Sequence, residues 1–166
     1  MGTHPTDRIA AAEQRLAAAR AGQNPAVIAK LRSGYVTMGQ TQFLPGYCVL
    51  VADADDVDHL TDLPRPAREQ FLADMGLLGE ALMAACVRWD PAFARLNYEI
   101  LGNQWRRLHA HVFPRYNWEP AELRDGPVWW HSQQRWTDPK HALGPAHDRL
   151  AESITRELSG VLPEAY

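Results

Sequence analysis

Two histidines one residue apart, His109 and His111, carry the clearest chemical signal in the chain, within Leu108-His109-Ala110-His111-Val112-Phe113. Their alternation with apolar residues reads as a β-strand, because strand side chains repeat every two residues. Arg107, His109 and His111 then share one face, and Leu108, Ala110 and Val112 share the other. Same-face neighbours stand roughly 6.5 Å apart along a strand, a spacing that can hold a phosphate between them. A neutral imidazole is a good nucleophile near pH 7, since its ordinary pKa of about 6.5 leaves most of it unprotonated. Attack on phosphorus would split one hard displacement into two easier ones through a covalent intermediate. Donors for the phosphate oxygens are at hand in Asn103, Gln104, His111 and the amides of a Gly102-Asn103-Gln104 turn. Pro114 is expected to end the strand.

Two other readings of a bare His-x-His pair stand beside this one. The pair can be two polar residues on the wet face of a half-buried strand. It can also chelate a metal, but such sites need a third or fourth ligand. The nearby carboxylates, Glu99 and Glu119, have no recognisable ligand spacing, and no metal is assigned.

The block Leu96–Tyr116 resembles the histidine triad (HIT) family of nucleotide hydrolases and transferases. It is most similar to the bacterial branch reading roughly N-Y-x-x-L-G-N-x-x-x-x-L-H-x-H-x-x-P-R-Y. A second block, Gln42-Phe43-Leu44-Pro45-Gly46-Tyr47-Cys48-Val49-Leu50-Val51, is similar to the family's strand-turn-strand with Pro-Gly at its turn. The two lie in the family's order and cover about residues 30 to 120. The departures are specific. The first triad position is Arg107, and Tyr47 stands where much of the family has a further histidine after Pro-Gly. Those two histidines belong to one hydrogen-bonded arrangement in the family, so their joint absence is one altered feature.

The resemblance implies that His109 is the nucleophile and that His111 contacts the phosphate. The reaction it implies is hydrolysis or nucleotidyl transfer at the α-phosphate of a dinucleoside polyphosphate or AMP conjugate, with no cofactor. Asn97, Asn103, Gln104, Arg107 and Tyr47 are the candidate substrate-binding residues. Arg107 has two readings. Facing the site, its permanent charge would hold His109 neutral and clamp an anionic leaving group. Turned outward, only its backbone carbonyl matters, since in the family such a carbonyl orients the nucleophile. Asn97 either reaches phosphate or ribose or is a structural strand-end residue. Two further functions stay open: a nucleotide-binding regulatory module without turnover, and a lyase or phosphorylase on the same scaffold. The fold implied is α+β, an antiparallel sheet with a long helix packed on it, in a homodimer.

The elements that must position these groups follow from length and pattern. At 166 residues, 46% hydrophobic and 22% charged, the chain has an ordinary globular composition. Its net charge of -3 argues against a nonspecific nucleic-acid coat. Cys48 and Cys86 lie in apolar surroundings and are expected reduced and buried. No secretory leader or membrane-spanning run is visible, so the expected location is cytoplasmic.

Three regions are expected: an N-terminal helical extension (1–29), a HIT-like domain (30–120) and a Trp-rich tail with a helix (121–166). Residues 1 to 5 read as a frayed end or cloning remnant. A helix from Thr6 or Asp7 to about Ala21 has only a thin apolar stripe and should dock at an edge. A short helix around Ala26 to Leu31 follows, then strands at Tyr35 to Gln40 and Tyr47 to Ala52 as a hairpin-like pair. The acidic Asp53 to Pro64 segment lacks the mid-loop Gly and final Glu of a calcium loop and reads as a solvated turn with His59 at the surface. The longest helix, Pro66 to about Arg88, shows one apolar face at Phe71, Met75, Leu78, Leu82 and Cys86. A strand over Phe93 to Leu101 feeds the turn. Trp118, Trp129, Trp130 and Trp136 then come close together, either packing an irregular tail or offering a base-stacking platform. His131, His141 and His147 have no coherent spacing and are expected to face solvent. The nucleoside pocket is placed at Tyr35 to Gln40 and Phe43, and a last helix over Pro145 to Leu158.

Overall fold

The strand rhythm around His109 is realised in β5 (His109–Tyr116), the fourth strand across a five-stranded antiparallel sheet. The computed structural model describes residues 5–165. The other strands are β1 (Val27–Lys30), β2 (Gly34–Met38), β3 (Cys48–Ala52) and β4 (Phe93–Glu99), in the spatial order β1-β2-β3-β5-β4. Register fixes which residues share a face. His109 lies opposite Val51 and His111 opposite Val49, while Tyr35 and Thr37 on β2 pair with the same two valines. These residues make one face of the sheet. Val36, Met38, Cys48, Leu50, Ala110 and Val112 make the other, and all are buried.

That second face receives helix α2 (Arg65–Trp89), whose Phe71, Leu78, Leu82 and Cys86 are fully buried at the expected spacing. By length and composition α2 alone among the described helices could cross a membrane; 44% of its apolar window is buried, and Leu72, Met83 and Val87 are exposed. A second helix, α3 (Asp148–Ala165), inserts Leu150, Ile154 and Leu158 beside it. It starts later and runs further than the Pro145–Leu158 expected, because Pro145–His147 forms a separate 3-10 turn. Both cysteines are free and buried, and burial pushes the Cys86 thiol up to about 11. His59 is exposed, as expected.

Helix α1 (Pro5–Arg20) matches its expected span, though not its expected place. Instead of docking at an edge it brings Ala12, Leu16 and Ala19 down as a buried stripe at the cavity on the histidine face. A face built largely from alanines has little apolar area to signal burial, yet it lets a helix approach closely. The frayed end read at residues 1 to 5 lies, for residues 1–4, outside the described residues.

Three other elements differ from expectation. The short helix at Ala26 to Leu31 is instead strand β1, paired with β2 through a tight turn in which Leu31 N–H donates to the Gly34 carbonyl. Val27 and Ile28 are β-branched and favour the extended state, and the eight residues between Asn24-Pro25 and Gly34 are too few for a stable helix. β5 runs through Pro114 to Tyr116 rather than ending there. Pairing with β3 stops at Val112, so at Pro114 the strand has a neighbour on β4 alone and a missing N–H is tolerated. β4 ends at Glu99, two residues short of Leu101.

The loop before β3 is tied by Gln42, whose amide donates to the Gly39 and Tyr47 carbonyls and accepts from Gly46 N–H, each at 2.9 Å. Gly46 has φ +90°, and a Cβ there would stand 2.7 Å from Cys86 Sγ. Gly46→Ala is therefore expected to cost about 1–3 kcal/mol in chemical denaturation, from strain and crowding together. A loss under 0.5 kcal/mol would sink that account.

Candidate active site

His109 Nδ1 lies 2.6 Å from the carbonyl oxygen of Arg107. A carbonyl only accepts, so Nδ1 carries the proton and Nε2 keeps its lone pair. Burial holds His109 below its ordinary pKa, against the opposing pull of that carbonyl bond. His111 Nδ1 meets the Tyr47 hydroxyl at 2.8 Å. Burial, then the neighbouring His109, push His111 down to about 3. Burial also raises Tyr47, so the phenol stays un-ionised. A neutral hydroxyl can donate to His111 Nδ1, and in that arrangement the His111 proton sits on Nε2. The two rings meet edge to face with centroids 4.7 Å apart. The pair thus offers one lone pair and one N–H donor from adjacent same-face positions.

A cavity of about 600 Å³ opens over them, bounded by the sheet, α1, the turn before β5 and the Trp-rich segment. Of the expected site residues, His109, His111, Tyr47 and Gln104 line it. Arg107, Asn97 and Asn103 do not. The Arg107 side chain takes the outward reading, donating to the Ala54 carbonyl at 3.0 Å and pairing with Glu13 of α1 at 3.4 Å. Glu13 also accepts from Trp105 Nε1 at 2.7 Å, which ties α1 to the turn beside the histidines. Asn97 takes the structural reading: its Oδ1 accepts from Arg115 at 2.7 Å and its Nδ2 donates to the Leu96 carbonyl. Asn103 is exposed at the turn where Gly102 has φ +72°. Tyr35, Thr37 and Met38 to Gln40 line the cavity, whereas Phe43 is buried behind it against Trp136 and His131.

The Trp-rich segment packs and also walls the cavity. Trp129 and Trp136, the latter in the short helix Gln133–Thr137, stack at 4.7 Å with planes 8° apart, and both line it. Trp129 sets its edge on His111 at 5.6 Å. Trp118 instead stacks on Tyr116 and bonds Asp90, and Trp130 is exposed. His131 corrects the solvent-facing expectation, being 3% exposed with Nε2 2.9 Å from Glu119. It is drawn inward by a buried carboxylate that its sequence neighbours do not reveal. His141 and His147 are half-buried rather than free in solvent, His147 Nδ1 lying 3.3 Å from Gly144 N. Arg8 and Arg15 of α1 line the cavity, and no carboxylate does among the described residues. No group of three metal-ligating side chains occurs among the described residues.

Neutral buried histidines leave a pH signature. Their folded pKa values lie below the unfolded value of about 6.5, so on acidification the unfolded chain takes up protons that the folded one refuses. Stability is complete above pH 6.5 and falls below it by up to ~1.4 kcal/mol per pH unit for each histidine, continuing for His111 toward about 3. Carboxylates enter only below about pH 4.5. Urea unfolding at pH 7.5, 6 and 5 is expected to show the decline, and His111→Asn to flatten it. A flat wild-type profile would contradict the buried neutral pair.

No family model and no curated protein matches the sequence. Solved structures do match the fold. A histidine triad protein from Sinorhizobium meliloti is 21% identical with TM-score 0.64, over 84% of this chain and 93% of that one. One from Marinobacter aquaeolei is 23% identical with TM-score 0.62, over 92% and 96%. A protein described as a hypothetical histidine triad nucleotide-binding protein, from Sulfolobus tokodaii, is 10% identical with TM-score 0.62, over 89% and 93%. The chain therefore has the histidine triad fold, α+β with its paired histidines on strand β5 between β3 and β4. At these identities the likeness carries architecture alone, and chemistry has to be argued from the site.

Proposed function

We propose that the protein is a nucleotide hydrolase or nucleotidyl transferase acting at an α-phosphate through a nucleotidyl intermediate on His109. The observation that supports this most is the 2.6 Å bond from His109 Nδ1 to the Arg107 carbonyl, which leaves Nε2 as the free lone pair beside the cavity. In the first step Nε2 forms a bond to phosphorus, the bond to the leaving group breaks, and its electron pair departs with that group. His111 Nε2–H and Gln104 supply donors to the phosphate oxygens as charge shifts onto them. Water then attacks phosphorus, releases the nucleoside monophosphate and restores His109; another acceptor in place of water gives transfer. The triad position without a histidine does not remove this logic, because the carbonyl of residue 107 is supplied by any residue type.

The substrate candidates are a dinucleoside polyphosphate and AMP conjugates, and Tyr35 and Thr37, which line the cavity, are the residues proposed to meet the nucleoside. The test is turnover of a diadenosine polyphosphate, AMP phosphoramidate and adenylylsulfate, with mass spectrometry of acid-quenched protein. A nucleotidyl mass on the His109 peptide, with AMP released, is the expected result. Micromolar AMP binding with no turnover and no adduct would instead favour a nucleotide-binding module.

A further inference from the structure

Several cations around α1 are paired among the described residues. Arg20 pairs with Asp53 at 2.8 Å and Asp55 at 3.0 Å, Lys30 pairs with Asp53, and Arg107 pairs with Glu13. Arg15 lines the same cavity as His109 and His111, yet among the described residues its guanidinium has no hydrogen-bond or ion-pair partner. Partial desolvation lowers its pKa. Arg15 is exposed at the cavity mouth, where a planar fork of five N–H donors meets a lining with no carboxylate among the described residues. Such a group is stabilised when an anion arrives.

We propose that Arg15 binds a second anionic group of the substrate, on the leaving side of the phosphate attacked by His109. This rests on the reading of His109 as nucleophile. The attacked phosphate already has candidate donors in His111 on the sheet and Gln104 on the turn before β5. Arg15 belongs to α1, a different wall of the cavity, so it serves a different anion. The substrate class is a nucleotide whose leaving group itself carries a phosphate, sulfate or carboxylate. When the bond to phosphorus breaks, the electron pair remains on the leaving oxygen and adds one negative charge to that group. Arg15 binds it before the step and stabilises the added charge during it.

The proposal is tested by the ratio of kcat/KM for adenylylsulfate, with an anionic leaving group, to that for AMP phosphoramidate, with a neutral one. Arg15→Gln is expected to lower this ratio at least tenfold, and Arg15→Lys to recover part of it. A ratio the same as in wild type would overturn the subsite, whatever happens to the absolute rates. Calorimetry with inorganic pyrophosphate separates this claim from the nucleotidyl one, since it needs no turnover. Pyrophosphate binding to wild type that weakens at least tenfold in Arg15→Gln would uphold the subsite even with every nucleotide inert. Equal affinities, or no pyrophosphate binding to wild type, would overturn it. Circular dichroism of both variants checks that α1 is intact.

Discussion

His109→Gly is expected to reduce release of AMP from adenylated substrates by ~10³-fold or more and to abolish the covalent adduct. Arg107→Ala is expected to reduce it less than about tenfold. The contrast follows from which atoms of residue 107 the site uses. The bond that fixes the His109 tautomer goes to a backbone carbonyl, and truncating the side chain leaves that oxygen in place. What Arg107→Ala does lose is the tie to Glu13 and Ala54, which steadies α1 from outside the cavity. A nucleophile has no such substitute, because without Nε2 the displacement must proceed with water in one step. Added imidazole should enter the hole left in His109→Gly and restore part of the turnover, with the adduct now on the free imidazole. Chromatographic rates with both variants decide the matter. If Arg107→Ala were as damaging as His109→Gly, the charged side chain would belong to the chemistry and the carbonyl account would be wrong.

What the sequence made legible were features encoded by strong period or by a turn that few residues can make. The apolar face of α2 at Phe71, Leu78, Leu82 and Cys86 repeats at helical spacing, and the alternation around His109 repeats at strand spacing, so both elements were readable. Gly46 with φ +90° does what Pro-Gly before a strand suggests. The cavity walls were less legible because they come from elements with weak local signals. Ala12, Leu16 and Ala19 bury little area each, so α1 read as peripheral while in fact it bounds the site and delivers Arg15. Trp129 and Trp136 belong to an irregular segment with no periodicity, where composition fits packing and ligand contact equally. His131 had no visible partner because Glu119 lies twelve residues away across short helices and turns. Asn97 sits in the Leu96–Tyr116 block that carries the resemblance, yet its amide oxygen is spent on Arg115.

That arginine anchors the second large effect. Glu119→Ala is expected to destabilise the protein by about 3–5 kcal/mol, a substantial part of the 5–15 kcal/mol typical of a domain. Arg115 and Glu119 have side chains only 1% and 0% exposed. Arg115 Nε donates to Oε1 at 3.0 Å and Nη2 to Oε2 at 3.0 Å, the remaining donors going to Asn97, Leu123 O and Gly126 O. Glu119 also accepts from Tyr116 N–H at 2.8 Å and from His131 at 2.9 Å. Burial alone would raise the carboxyl pKa, but these bonds outweigh it and hold the group below the usual range. Its contribution is therefore present above the unfolded value of about 4.3 and is lost as pH falls through the folded one. Removing the carboxylate leaves a buried guanidinium without a counter-charge, a far larger cost than losing a surface pair. For a chain of this size the expected fall in Tm is between roughly 6 and 20 °C. The effect should reach the site, because the same arginine holds β4 through Asn97 and the start of the Trp-rich segment through Leu123 and Gly126. Loosening that clamp frees Trp129 and Trp136 from their stack, so tryptophan emission should shift to the red before global unfolding. Glu119→Gln keeps the volume and one acceptor and should fall between wild type and alanine. A Tm change below about 2 °C for Glu119→Ala would show that the cavity wall is held by aromatic packing instead of by the buried ion pair.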